Sequence, residues 1–352
     1  MNLFERITKP GEVISFETCY RGIPELNPDI KKIIFSARDD GEEERLKEVK
    51  KQLENYLKDW PVSDEPCDRP GHIERVDYTT SVYEDGCVYS KYCNVYLPYG
   101  YDPADAEKKY NVIYFQHGNT GDPEFFKNPD LKLLLDRLFS EEGIDPCIVV
   151  FTTYYFDVTE NVEERRSTGN VPAGDGNWPG VKPNFWREVI RNIIPAVELK
   201  YHTYLQEDTK EAIMATRDHR LFSGYSRGCV CTWYMFHNAL PFFRYFIPMS
   251  CVTTAGKSMQ DPPTDEEVLA YLQKPLKDHP ELPFFIYAFN GGEMDVVAMN
   301  PQMNILTKAE GFSYGRDPEK NNIYFALSNY FHGDMFAPEY FYNALPVMFK
   351  GE

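Results

Sequence analysis

Residues 221–231 read LFSGYSRGCVC, an apolar run that breaks into a glycine-flanked serine and resumes as the apolar-rich segment GCVCTWYMFHNAL. Within it, Gly224-Tyr225-Ser226-Arg227-Gly228 fits the pattern G-x-S-x-G. Five residues of this kind recur by chance, so context decides their meaning. A strand that turns sharply into a helix lifts a serine hydroxyl clear of the sheet, and flanking glycines let the backbones approach closely. The helix start behind it favours developing negative charge. In that setting Ser226 is expected to be a nucleophile.

The surrounding chain supplies the setting. Short apolar runs that read as strands are YCNVYLP, NVIYFQHG, CIVVFTTYY, RLFSGYS, YFIPMSC, PFFIYAFNGG and NIYFALSNYF. Segments with helical spacing lie between and after them, among them LKLLLDRLFSEEG, FWREVIRNIIPAVELKY, TDEEVLAYLQKPL, PQMNILTKAEG and APEYFYNALPVMF. Continuous apolar strands alternating with amphipathic helices predict an α/β fold, a mostly parallel central sheet with helices on both faces. In such sheets functional residues collect at the carboxyl ends of the strands.

Three further strand ends carry suitable chemistry. NVIYF runs into Gln116-His117-Gly118-Asn119-Thr120-Gly121, where the Asn119 N–H, with that of Arg227, is placed to bind an oxyanion. His117 precedes the serine in the chain and reads as a brace for this loop rather than as a base. PFFIYAF runs into Asn290-Gly291-Gly292-Glu293-Met294-Asp295, which offers Glu293 or Asp295 as an acid to orient a histidine. NIYFALSNYF ends in His332-Gly333-Asp334, and His332 can reach back over the sheet as general base. The other histidines fall on an apolar helix (His237), near polar turns (His202, His219) or in loops (His72, His279).

Composition excludes several classes. The chain has 352 residues and a formal net charge of -18, which repels nucleic acid and anionic membranes. No run approaches the length needed to span a bilayer, and the first residues lack the apolar core of a signal peptide. A secreted enzyme whose signal has been removed is the expectation, with a cytoplasmic one as the alternative. The 8 cysteines include no C-x-x-C pair and no zinc-ligand spacing, so no metal is expected. Most read as buried thiols, with one or two disulfides as the alternative.

The order Ser226, Asp295, His332 and the motifs around it resemble the esterase-D-like α/β-hydrolases, especially carbohydrate esterase family 1 with its feruloyl and acetylxylan esterases. The stretches that carry the resemblance are VYLPYGYDPADAEKKYNVIYFQHGNTG, GYSRG, GGEMD and FHGDMF. It covers residues 71–350 and implies an α/β-hydrolase fold, with Asp295 rather than Glu293 as the acid and no cofactor. It also implies an acyl-enzyme route, with hydroxycinnamate esters of plant cell-wall polysaccharide or small aryl esters as substrates. The family more often has Met-Gly-Gly after the serine, so Arg227-Gly228-Cys229 is a departure that bears on leaving-group preference.

A long segment rich in Gly, Pro and Trp, YYFDVTENVEERRSTGNVPAGDGNWPGVKPNFW, is expected to rim the site. Trp178, Trp186 and Tyr225 are the candidate substrate contacts, Trp186 being equally able to start a helix and face the core. Residues 1–70 are expected to form an extension around one amphipathic helix, GEEERLKEVKKQLENYLKDW, serving as a lid, a packing element or a small module, with the esterase domain over 71–352. Other readings are an acetylxylan esterase, an S-formylglutathione hydrolase-like thioesterase, or a ligand-binding protein on an inactive hydrolase scaffold.

Overall fold

The computed structural model of the chain describes residues 65–83, 86–118, 121–127, 129–141, 143–155, 184–257, 263–290, 299, 302–303, 305–327 and 337–349. The helix expected within residues 41–60, and with it nearly all of the amino-terminal extension, lies outside them. Eight strands among the described residues form one sheet in the order β1-β2-β4-β3-β5-β6-β7-β8. They are β1 (His72–Thr80), β2 (Tyr89–Leu97), β3 (Asn111–Gln116), β4 (Cys147–Thr152), β5 (Arg220–Tyr225), β6 (Tyr245–Met249), β7 (Phe285–Asn290) and β8 (Ile323–Leu327). The pairings from β4 through β8 are parallel, while β1–β2 and β2–β4 are antiparallel.

Each expected apolar run contains a strand, and the central ones are buried along their whole length, as a sheet covered on both faces requires. β1 was absent from the expectation. Its sequence, HIERVDYTT, is mostly polar, and only Val76, Tyr78 and Thr80 turn inward, so its signal was alternation rather than an apolar run.

Among the described residues, six helices cover the sheet. α1 (Pro129–Ser140) and α6 (Ala337–Ala344) pack on one face, around Leu131, Leu135, Phe341 and Ala344. α2 begins at Phe185–Glu188, passes through a π-turn at Val189–Ile193 and continues over Ile194–Glu198. It shares the other face with α3 (Lys210–Ala215), α4 (Arg227–Ala239) and α5 (Asp265–Asp278), where Ile193, Ile213, Trp233 and Leu272 are buried. α5 starts with a reciprocal cap between Thr264 and Glu267, which satisfies two otherwise orphaned amides.

β5 is anchored at its amino end by charge. Arg220 is fully buried, with Nε 2.6 Å from Glu198 Oε1, while its Nη1 donates to the Ile213 carbonyl at 2.5 Å. Its Nη2 donates to Glu198 Oε2 at 2.7 Å, and Tyr114 OH donates to Glu198 Oε1 at 2.6 Å. The bidentate pair ties β5 to the end of α2. Arg220→Met would leave the Glu198 carboxylate buried with no cation, and breaking such a pair costs about 3–5 kcal/mol. Urea denaturation should show a loss of that size, and a loss under 1 kcal/mol would mean that the pair does not anchor the strand.

Candidate active site

Ser226 stands between β5 and α4 with φ 55° and ψ -113°. A non-glycine residue there stores about 1–3 kcal/mol of strain and persists only where its surroundings impose it. The surroundings are visible. The Ser226 N–H donates to the Met249 carbonyl on β6 at 2.9 Å, and the Ser226 carbonyl accepts from Cys229 N at 2.9 Å as the helix begins. A Cβ on Gly224 would lie 2.3 Å from the Gly228 carbonyl oxygen, and one on Gly228 would lie 2.1 Å from the Gln116 carbonyl oxygen. Both glycines of the motif are therefore obligatory, because α4 starts directly against β3 and β5.

The place of this turn in the sheet matters as much as its shape. The chain runs from β3 outward to β4 and then returns to β5 on the other side of β3, so the crevice at the carboxyl ends of β3 and β5 is the switch point of the topology. Open α/β sheets bind their ligands in such a crevice. Gly118, just past β3, faces the serine: a Cβ there would sit 3.3 Å from Ser226 Cβ.

His117 is fully buried beneath this crevice, and it braces the loop as expected. Its Nδ1 lies 2.6 Å from the Gly118 carbonyl oxygen and its Nε2 lies 2.8 Å from Thr153 Oγ1. A carbonyl can only accept, so the ring proton sits on Nδ1, and Nε2 accepts from the threonine hydroxyl. Tyr154 OH donates a second hydrogen bond to the Gly118 carbonyl at 3.0 Å. The ring of Tyr155 stacks on the imidazole with centroids 5.4 Å apart.

Behind Thr153 lies a charged group that the sequence reading missed. Lys91 of β2 and Glu188 of α2 are fully buried and 2.5 Å apart, and Lys91 Nζ donates to the Thr153 carbonyl at 2.8 Å. Tyr78 and Tyr83 both donate to the Glu188 carboxylate, Tyr78 at 2.6 Å. Burial pushes Lys91 below the usual lysine range while Glu188 pulls it back up, and burial pushes both tyrosines far above theirs. A signal existed in Glu188 itself, an acid next to Val189 in the otherwise apolar stripe of an amphipathic helix.

The remaining expected residues divide into three groups. Arg227 is half-buried at the first position of α4, and its Nη1 is buried without a partner. Its N–H is one of the first amides of the helix, which have no intrahelical acceptor. Tyr225 is only 2% exposed and packs in the core on the α1 and α6 face, supporting the turn from below. Trp186 is the second residue of α2, half-buried against the core of the opposite face. Asn119, Trp178, Glu293, Asp295 and His332 lie outside the described residues.

What the structure does establish for the last two is their point of departure. β7 ends at Asn290 and β8 at Leu327, paired with one another in register at the same edge of the sheet as Ser226. Strands lie roughly 4.8 Å apart, so these ends stand about 10 and 15 Å from the serine, distances that short loops span.

A separate cleft, lined by Leu276, His279, Phe284, Ser313 and Asn322, opens at the amino-terminal edge of β7 and β8, opposite Ser226. Its serine is engaged with Asn321. Among the described residues no group of three His, Cys, Asp or Glu side chains is arranged to hold a metal ion. No described helix is long and apolar enough to cross a membrane. The described cysteines are all free thiols, mostly buried.

Known proteins similar to this chain are esterases or carry one. Residues 91–311 match the family model described as "Putative esterase". Endo-1,4-beta-xylanase Y of Acetivibrio thermocellus is 33% identical over 288 residues, which are 81% of this chain and 24% of that relative. The chain thus spans about a quarter of that protein's length. A serine-to-alanine variant of the feruloyl esterase module from Clostridium thermocellum, solved with sinapinate, is 29% identical with a TM-score of 0.68. The match covers 85% of this chain and 96% of that one. The CE1 ferulic acid esterase of Anaeromyces mucronatus, solved with ferulic acid, shares the fold at 18% identity and a TM-score of 0.54, over 84% and 95% of the two chains.

Proposed function

Because this chain belongs to the esterase family, we propose that it is a serine esterase that releases hydroxycinnamates such as ferulate from plant cell-wall xylan. The observation that carries the reading is Ser226, held in a strained turn at the switch point of the sheet with Gly118 against it. The substrate class rests on the likeness to the feruloyl esterase module and to a xylanase.

In this reading Ser226 Oγ attacks the ester carbonyl carbon and passes its proton to His332. Asp295 holds the imidazole in the tautomer that can accept it and stabilises the cation formed. The tetrahedral oxyanion sits against the N–H groups of Asn119 and Arg227, each such donor being worth about 3 kcal/mol. Collapse expels the sugar alcohol, protonated by His332, and leaves the hydroxycinnamoyl group on Ser226. Water activated by His332 then attacks the acyl-enzyme, and the free acid and the serine are regenerated. Water's hydroxyl ends on the acyl carbon and its proton balances the one given to the alcohol, so no oxidation state changes and the route needs no redox partner. A substrate in the plant wall lies outside the cell, and export of the protein is part of the proposal.

Comparing kcat/KM on methyl ferulate, acetylated xylan and a short alkyl nitrophenyl ester tests the substrate class. Methyl ferulate should exceed the alkyl ester by about a hundredfold, the discrimination that a well-filled apolar pocket provides. Equal rates on all three would remove the hydroxycinnamate assignment, and preference for acetylated xylan would replace it with an acetylxylan esterase.

A further inference from the structure

The fully buried Lys91–Glu188 pair takes no part in the chemistry proposed above, yet it is tied by hydrogen bonds to the loop beside the nucleophile. From Glu188 the chain passes to Lys91 at 2.5 Å, from Lys91 Nζ to the Thr153 carbonyl at 2.8 Å, and from Thr153 Oγ1 to His117 Nε2 at 2.8 Å. From His117 Nδ1 it reaches the Gly118 carbonyl at 2.6 Å, where Tyr154 OH also arrives at 3.0 Å. The side chains of Lys91 and Glu188 and the residues His117 and Thr153 are all 0% exposed, so bulk solvent does not reach these links.

Two physical arguments give the chain a purpose. First, a peptide unit is planar and trans, so its C=O and N–H point in opposite directions. Two donors that fix the Gly118 carbonyl therefore also fix the direction of the N–H that follows it in the same unit. Second, burying an ion pair gains little or nothing over filling the space with apolar side chains, which makes the pair a weak source of stability and leaves orientation as its use.

We propose that Thr153 is a positioning residue for the oxyanion donor after Gly118, acting through His117, with the Lys91–Glu188 pair as the fixed point that holds the Thr153 backbone. The chain links β2, α2 and the ends of β3 and β4 to one peptide unit. The inference rests on the reading of residue 119 as an oxyanion donor in a serine esterase. It adds to that reading a set of residues distant from the substrate that govern the transition state and not the binding of the ester.

Thr153→Val removes the hydroxyl and keeps the shape. The expected result is a fall in kcat of about tenfold with KM within twofold, because an oxyanion donor that is loosened loses part of the hundredfold or more that its deletion costs. Affinity for phenylboronic acid, which forms a tetrahedral adduct on a nucleophilic serine, should fall by the same factor, and Thr153→Ser should restore both. The double variant Lys91→Met/Glu188→Gln removes both charges together, avoiding a lone buried ion, and should reproduce the kcat loss. A Thr153→Val enzyme with wild-type kcat and boronate affinity would overturn the proposal. So would a loss confined to KM or to thermal stability. If Ser226→Ala retained turnover, the esterase site itself would be misassigned; if Ser226→Ala is inactive while Thr153→Val is unaffected, only the positioning role fails.

Discussion

Ser226→Ala should reduce turnover of methyl ferulate by about a millionfold, leaving the residual rate that binding and oxyanion donors supply on their own. The change removes one oxygen from a residue whose backbone is held independently of its side chain. The N–H bond to Met249 and the carbonyl bonds to Cys229 and Val230 all survive it. Alanine is as strained as serine at φ 55°, so the variant should unfold at the same urea concentration as the parent. Ser226→Gly should be equally inactive and more stable by about 1 kcal/mol, since glycine accepts a positive φ without strain and loses part of that gain to chain entropy. Activity assays and urea titrations on the two variants separate the chemical role of the side chain from the cost of the turn. An alanine variant within tenfold of the parent would move the nucleophile elsewhere.

Asp295→Asn should lower kcat by about ten-thousandfold, the loss seen when an asparagine holds the histidine in the wrong tautomer. The amide would donate to the ring nitrogen where the carboxylate accepts, so the nitrogen facing Ser226 would carry a proton and could not act as base. Glu293→Gln, two residues earlier in the chain, should retain activity within about threefold by the same reasoning, because it removes no partner of the imidazole. The pair of variants reads out the acid directly: a large loss in Glu293→Gln with a mild one in Asp295→Asn would assign the role to Glu293. Both residues follow β7, which ends at Asn290 on the edge of the sheet where Ser226 stands.

How much of this could be read from the chain alone depended on the range of the interactions involved. The strands from β2 to β8 were legible because strands covered on both faces read as nearly continuous apolar runs, whether parallel or, as in β2, antiparallel. β1 was not, because an edge strand with one wet face reads as mixed polar sequence with only Val76, Tyr78 and Thr80 in alternation. The G-x-S-x-G turn was legible because its glycines are required by local geometry, and the clash distances at Gly224 and Gly228 supply the reason. What the sequence left open for Tyr225 was direction. Residues alternate across a strand, and the alternation in β5 sends Tyr225 into the core beneath α1 and α6.

By itself the sequence determined the strand-turn-helix around Ser226, the order of the candidate groups along the chain, and His117 as a brace. These depend on periodicity, on glycine and on succession, which are properties of a linear string. Only the tertiary structure decided that β3 and β5 are neighbours, which sets Gly118 against Ser226. Only it brought Lys91, Thr153 and Glu188 into one buried chain, although up to 97 positions, from 91 to 188, separate them. Hydrogen bonds between distant segments leave no periodic trace in a sequence. They exist because the sheet order folds β2 and β4 side by side and lays α2 over them.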